Sequence, residues 1–199
     1  MSLYRMVRGL ALVLSPALLL VGAADAHKLR TAGERVTVAD SKMAVTPSRD
    51  WNRLGIKAGR HAETWTLDGT QLNDLTFYGG IAPGEPLVRE RSRKHDPLPR
   101  FAAETLLVEI PGLLEGTYRT YKQIGTFAVQ SVDPVRFLGH DGVHFTYQYT
   151  DDDQIVRRGD AQAAIVDGRL YMVTFDAPRL HYFDRDAGAA DAVMDSAGF

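Results

Sequence analysis

The chain has 199 residues, with 23 Lys and Arg against 25 Asp and Glu, and no cysteine. A net charge of −2 offers no basic field for general nucleic-acid binding. The missing thiols exclude disulfides, thiol chemistry and most structural zinc sites, so stability has to come from packing.

Residues 1–26 read as a targeting segment. Arg5 and Arg8 give a positive start, "GLALVLSPALLLVG" (9–22) an apolar middle, and Ala24-Asp25-Ala26 a small-x-small cleavage site before His27. The apolar run is shorter than the roughly 20 residues a membrane span needs, and Pro16 and Gly22 interrupt it. No cysteine follows it for lipid attachment. The expectation is a signal peptide cleaved near Ala26 and a periplasmic or secreted mature chain without a transmembrane anchor. Residues 27–34 are expected to be a loose mature N-terminus, and 35–199 a single domain of ordinary core size.

"RVTVADSKMAVTP" (35–47) alternates apolar and polar residues and predicts an extended opening strand with a turn at Asp40-Ser41. "AETWTLDGTQLNDLTFYGG" (62–80) predicts a hairpin turning at Asp68-Gly69, its second arm running from Leu72 to Tyr78 and ending at Gly79-Gly80. Residues 81–100 carry four prolines and the run "RERSRKHD", which predicts a loop. "FAAETLLVEIPGLLEGTYRTY" (101–121) is helical in composition, with Phe101, Thr105 and Val108 on one side. Pro111 is incompatible with a helix interior, so two helical pieces are predicted, Pro111 opening the second.

Residues 124–176 predict a meander. In "VHFTYQYT", Val143, Phe145, Tyr147 and Tyr149 alternate with polar residues, giving an aromatic face toward a core. "DDDQ" (151–154) and Asp167-Gly168 are turns. "RLYMVTF" is apolar on both faces, so it belongs mid-sheet with helices on one or both sides. Phe183, Ala187, Ala190 and Met194 form one stripe of a closing amphipathic helix.

"GRLYMVTFDAP", the following "YF", the terminal "MDSAGF", "PSRDW" and "WTLDG" together resemble the PsbP-like α/β/α sandwich proteins, over roughly residues 35–199. That superfamily holds the extrinsic photosystem subunit PsbP and a Ran-binding nuclear transport factor. Small exported proteins of Gram-negative bacteria carry similar segments. The resemblance implies an α+β fold, a largely antiparallel sheet with helices packed on it. It implies scaffolding and partner binding rather than a shared reaction, and it transfers no catalytic residue.

Candidate sites are few. Arg89, Arg91, Arg93, Lys94 and Arg100 form a basic cluster in the proline-flanked loop. The cluster suits an acidic envelope partner or an anionic surface, though a solvated polar loop has the same composition. Without interleaved aromatics it does not suit nucleic acid. Trp65, Tyr147 and Tyr149 are candidates for lining a pocket for a small apolar ligand, and Trp51 with Trp65 also reads as core. His181 with Asp184 or Asp186 is the one constellation that suggests a hydrolase. On a helix containing Phe183, however, the two carboxylates diverge, at about 100° and 300° from it. His140 and His144 lack helical spacing, and Asp151, Asp152 and Asp153 lack a calcium-loop pattern, so no metal site is expected. Ser48, Ser92 and Ser131 sit in no nucleophile turn, Glu63 and Asp68 are paired only by hairpin proximity, and no phosphate-binding glycine loop or other cofactor motif occurs. The reading is an exported, non-catalytic adaptor or binding module acting through its basic loop, with an apolar-ligand carrier as the alternative.

Overall fold

The computed structural model describes residues 28–199, so the expected signal peptide lies outside the described residues. Strands β1 (Lys28–Arg30), β2 (Val36–Thr37), β3 (Ala44–Val45), β4 (Trp51–Arg53), β5 (Ala62–Thr66) and β6 (Asp74–Ile81) come first. Helix α1 (Ile110–Tyr121) follows, then β7 (Thr126–Phe137), β8 (His140–Thr150), β9 (Val156–Val166), β10 (Arg169–Pro178) and helix α2 (Tyr182–Asp195). Eight strands form one antiparallel sheet in the order β1-β4-β5-β6-β10-β9-β8-β7, while β2 and β3 pair with each other. The fold class is α+β, as the strand and helix pattern and the resemblance imply.

Strand β10 lies mid-sheet between β6 and β9. Its alternation splits cleanly. Tyr171, Val173, Phe175 and Ala177 join a core under α2, with Trp51, Trp65, Phe77, Phe183, Ala190 and Met194. Leu170 and Met172 join a second core under α1, with Ile110, Leu114, Tyr118, Phe145 and Tyr147. A strand buried on both faces carries apolar residues at successive positions, and β10 does so because a helix covers each side. Pro111 sits in the first turn of α1, where its missing N–H costs no helical bond.

Three expectations change. Residues 28–30 are not loose: they pair with Trp51–Arg53 as an edge strand. The expected first helical piece is a series of turns that ends in a 3-10 turn at Leu107–Glu109. Phe101 is buried while Val108 is 67% exposed, so the two do not share a face. Strand β6 does not stop at Gly79-Gly80 but continues to Ile81. Gly79 permits the β2–β3 turn to rest on the sheet, since a Cβ there would lie 2.4 Å from Ser41 Oγ.

Candidate functional site

Asp176 is the one carboxylate of β10 on the α1 side, and it is almost fully buried. Three donors converge on it. Tyr147 on β8 donates to Oδ1 at 2.7 Å, Tyr118 on α1 donates to Oδ2 at 2.5 Å, and Lys122 Nζ lies 3.3 Å from Oδ2. Lys122 also donates to the Tyr149 hydroxyl at 3.2 Å, and its ammonium stands 4.0 Å from the Tyr118 ring centroid. Tyr118 and Lys122 reach the same carboxylate because residues four apart share a helix face. Tyr147 reaches it across β9 because the residue between them is Gly159, paired in register with both. A Cβ at Gly159 would lie 2.1 Å from the Tyr147 ring.

Electrostatics follow from this burial. Desolvation pushes the Tyr118 and Tyr147 hydroxyls well above the usual phenol range, and the Asp176 charge adds to it. Both therefore remain neutral donors. For Lys122, burial is the largest single influence and disfavours the ammonium, but the combined attraction of Asp176, Tyr149, Asp74 and Tyr78 exceeds it and raises the pKa. Asp74, directly opposite Asp176 in the β6–β10 register, is raised by burial, against the pull of Lys122.

Tyr118, Lys122 and Tyr149 of this network lie on the floor of a cleft of about 590 Å³ between the C-terminal end of α1 and the sheet, with the buried Asp176 and Tyr147 behind them. Lys122, Tyr149, Asp74 and Arg157 line its polar part; Leu54, Val88 and Tyr121 line apolar parts of its wall. Arg157 is held by Asp151, Nε to Oδ2 at 2.6 Å, and also donates to the Gln71 carbonyl.

The residues singled out from sequence are dispersed. Trp65 lies under α2, its indole N–H donating to Glu63 Oε1 at 2.8 Å, on the opposite side of the sheet from Tyr147 and Tyr149. The three rings thus line no common pocket, because odd positions of β5 and of β8 point to opposite faces. Only Tyr149 of the three borders the cleft. In the basic loop, Arg100 is tied to Glu90 at 2.6 Å and to the Gly84 carbonyl, whereas Arg89, Arg93 and Lys94 are exposed. Arg91 reaches the cleft, with its guanidinium 5.1 Å from the Tyr121 ring centroid.

His181 is exposed at the start of α2 and stacks edge-on with Tyr182. Asp184 turns outward to Arg158, and Asp186 turns inward to Asn73 and Arg185, so no triad forms with His181. His144 bonds Asp160, and among the described residues no set of three or more acidic or histidine side chains is gathered for a metal. Sequence reading missed Lys122, Asp176, Tyr118, Asp74 and Arg157. One signal was present: a carboxylate at the end of a strand apolar on both faces has to find buried donors.

No protein-family description and no curated protein matches the sequence. Among solved structures, the chain is similar to the cyanobacterial PsbP protein CyanoP of Synechocystis sp. PCC 6803. The TM-score is 0.50 and the identity 12%, over 88% of this chain and 94% of that one. LpqN of Mycobacterium tuberculosis, described as involved in cell envelope biogenesis, matches with a TM-score of 0.34 and 11% identity, over 89% of this chain and 86% of that one. No helix among the described residues is long and apolar enough to cross a membrane, which says nothing of spans made of strands. With an antiparallel sheet covered by one helix on each face, the chain has a PsbP-like fold.

Proposed function

We infer that this chain is an exported, non-catalytic binding protein that holds a small ligand in the cleft between α1 and the sheet. The observation that carries the reading is the cleft itself, about 590 Å³, with a fixed polar floor and apolar walls. Ligand sites combine these features: apolar lining supplies burial and a few placed polar groups supply orientation. The floor suits binding more than chemistry. Lys122 is held protonated, two tyrosines are held neutral, and Asp176 is occupied by three donors, so none of them is poised as a nucleophile or base. Export rests on the N-terminal pattern of charge, apolar run and small residues.

Amide shifts in NMR, recorded against a library of small polar aromatics, test the reading. Shifts should gather at Tyr78, Lys122, Tyr149 and Arg157, and Ala58→Trp, which fills the cleft, should remove them. Shifts scattered over the surface, or unchanged by Ala58→Trp, would refute it.

One observation favours a second reading, docking through the basic loop: Arg89, Arg93 and Lys94 are exposed, and Arg91 of the same loop lines the cleft. Charge reversal at Arg91, Arg93 and Lys94 should then abolish capture of an acidic partner from the native envelope. Undiminished capture would remove this reading and leave the cleft.

A further inference from the structure

The floor of the cleft is satisfied unevenly, and the unspent groups describe a ligand. Asp176 accepts from Tyr147, Tyr118 and Lys122. Asp151 accepts from the Ile155 N–H and from Arg157. These two carboxylates are occupied as acceptors, while their cations keep N–H groups to spare: Arg157 uses its Nε–H on Asp151 and one further N–H on the Gln71 carbonyl. Lys122 has three N–H groups, of which two point to Asp176 and Tyr149, so one remains. The Tyr149 hydroxyl accepts from Lys122 and keeps its own proton to donate.

Asp74 is the counterpart. Its Oδ1 accepts the Gln71 N–H at 2.9 Å, and its Oδ2 has no hydrogen-bond partner among the described residues. In register Asp74 stands opposite Asp176, a pairing that sets side chains roughly 4.5–5.5 Å apart at Cβ. The titratable groups around it are Tyr118 and Tyr121 of α1, Lys122 capping its C-terminal end, Tyr78 of β6, Tyr149 of β8, Arg157 of β9 and Asp176 of β10. Asp151 and Asp152 of the β8–β9 turn and Arg91 of the basic loop also line the cleft. Unspent donors and an unspent acceptor thus lie side by side on one floor. A purely anionic ligand would set its charge against Asp74, and a purely cationic one against Lys122. A ligand carrying both charges meets neither penalty.

We propose that the cleft takes a small amino carboxylic acid such as a free amino acid, its carboxylate on Lys122 and Tyr149, its ammonium on Asp74, and an apolar side chain between Leu54, Val88 and Tyr121. This rests on the cleft being a ligand site and names the chemistry of its occupant.

Calorimetry with three probes separates the parts: L-phenylalanine, 3-phenylpropionate, which lacks the amine, and 2-phenylethylamine, which lacks the carboxylate. Phenylalanine should bind, and each truncated probe should bind about tenfold or more weakly, the usual effect of leaving a charged hydrogen-bonding group unmet. Asp74→Asn should weaken phenylalanine without weakening 3-phenylpropionate. Tyr149→Phe, which keeps the ring and its packing, should weaken phenylalanine without weakening 2-phenylethylamine. If either truncated probe binds as well as phenylalanine, the two-charge assignment is overturned. The cleft reading then survives, provided Ala58→Trp abolishes that binding. If none of the three probes binds, this proposal is overturned, and the library shifts decide the cleft reading separately.

Discussion

Gly159 makes the Asp176 hub possible, because the Tyr147 ring crosses the sheet over the space a side chain would fill. Gly159→Ala is therefore expected to push the ring off its carboxylate and to cost about 1–3 kcal/mol, the range for overpacking a close contact. Urea unfolding measures this, and an unchanged midpoint would show that the ring has another resting place. Asp74 gives a pH-dependent prediction. Its folded pKa is raised, mainly by burial. Its contribution to stability is then fully present below the unfolded value of about 3.9 and is lost as pH rises through the folded value. Asp74→Asn should stabilise the protein at neutral pH, with the advantage shrinking as pH falls toward 4; urea midpoints at the two pH values check the sign. At this scale the sequence was least legible. Tyr147 and Tyr149 were visible as an alternating aromatic face, but their partners Asp176 and Lys122 lie 29 and 27 positions away. Periodicity says which face a residue occupies and nothing about who meets it there.

Among the elements, the β5–β6 connection and α2 are fastened together by Asn73. Its Oδ1 accepts the N–H groups of Leu67 and Asp68 and the Thr66 hydroxyl, and its Nδ2 donates to Asp68 and to Asp186. This explains why Asp186 faces inward on α2 although the apolar stripe alone does not call for it. Asn73→Ala would strand several of these groups, and since one buried unsatisfied polar group costs about 1–3 kcal/mol, a loss near the top of that range is expected. Thermal unfolding checks it, with Asn73→Asp as the comparison that keeps the acceptor and loses the donor. Regular elements were read well: the hairpin, the meander and the closing helix each follow from two-residue or 3.6-residue spacing. Errors fell where tertiary contact overrides local signals. Lys28–Arg30 is extended because β4 offers an open edge, and Gly79-Gly80 stays in a strand because Ser41 packs on it.

Over the whole molecule, the sheet's two edges are managed differently. Strand β1 is three residues long and carries Lys28 and Arg30, whereas β7 is twelve residues long and is interrupted by a bulge between Val129 and Ser131 and by Pro134, which has no N–H to offer. Both are devices that discourage edge-to-edge pairing. Between the edges the sheet divides the interior into two cores that meet only through the backbone of the strands. The apolar character of β10 on both faces made this division legible from sequence. The location of the cleft was not, because it depends on where α1 ends over the sheet.

That division also sets both indoles apart from most of the phenols, Tyr171 being the buried phenol that shares their side. Trp51 and Trp65 both lie in the core under α2, while Tyr78, Tyr118, Tyr147 and Tyr149 lie under α1. The protein thus carries an optical label on each side of its sheet. Light absorbed selectively by indole reports only the side away from the cleft, and phenol emission is weighted to the cleft side. Ligand titrations should disturb the tyrosine signal and leave the tryptophan signal in place. In urea the two signals should decay together if the domain unfolds in one step; separate midpoints would mean that one helix leaves the sheet before the other.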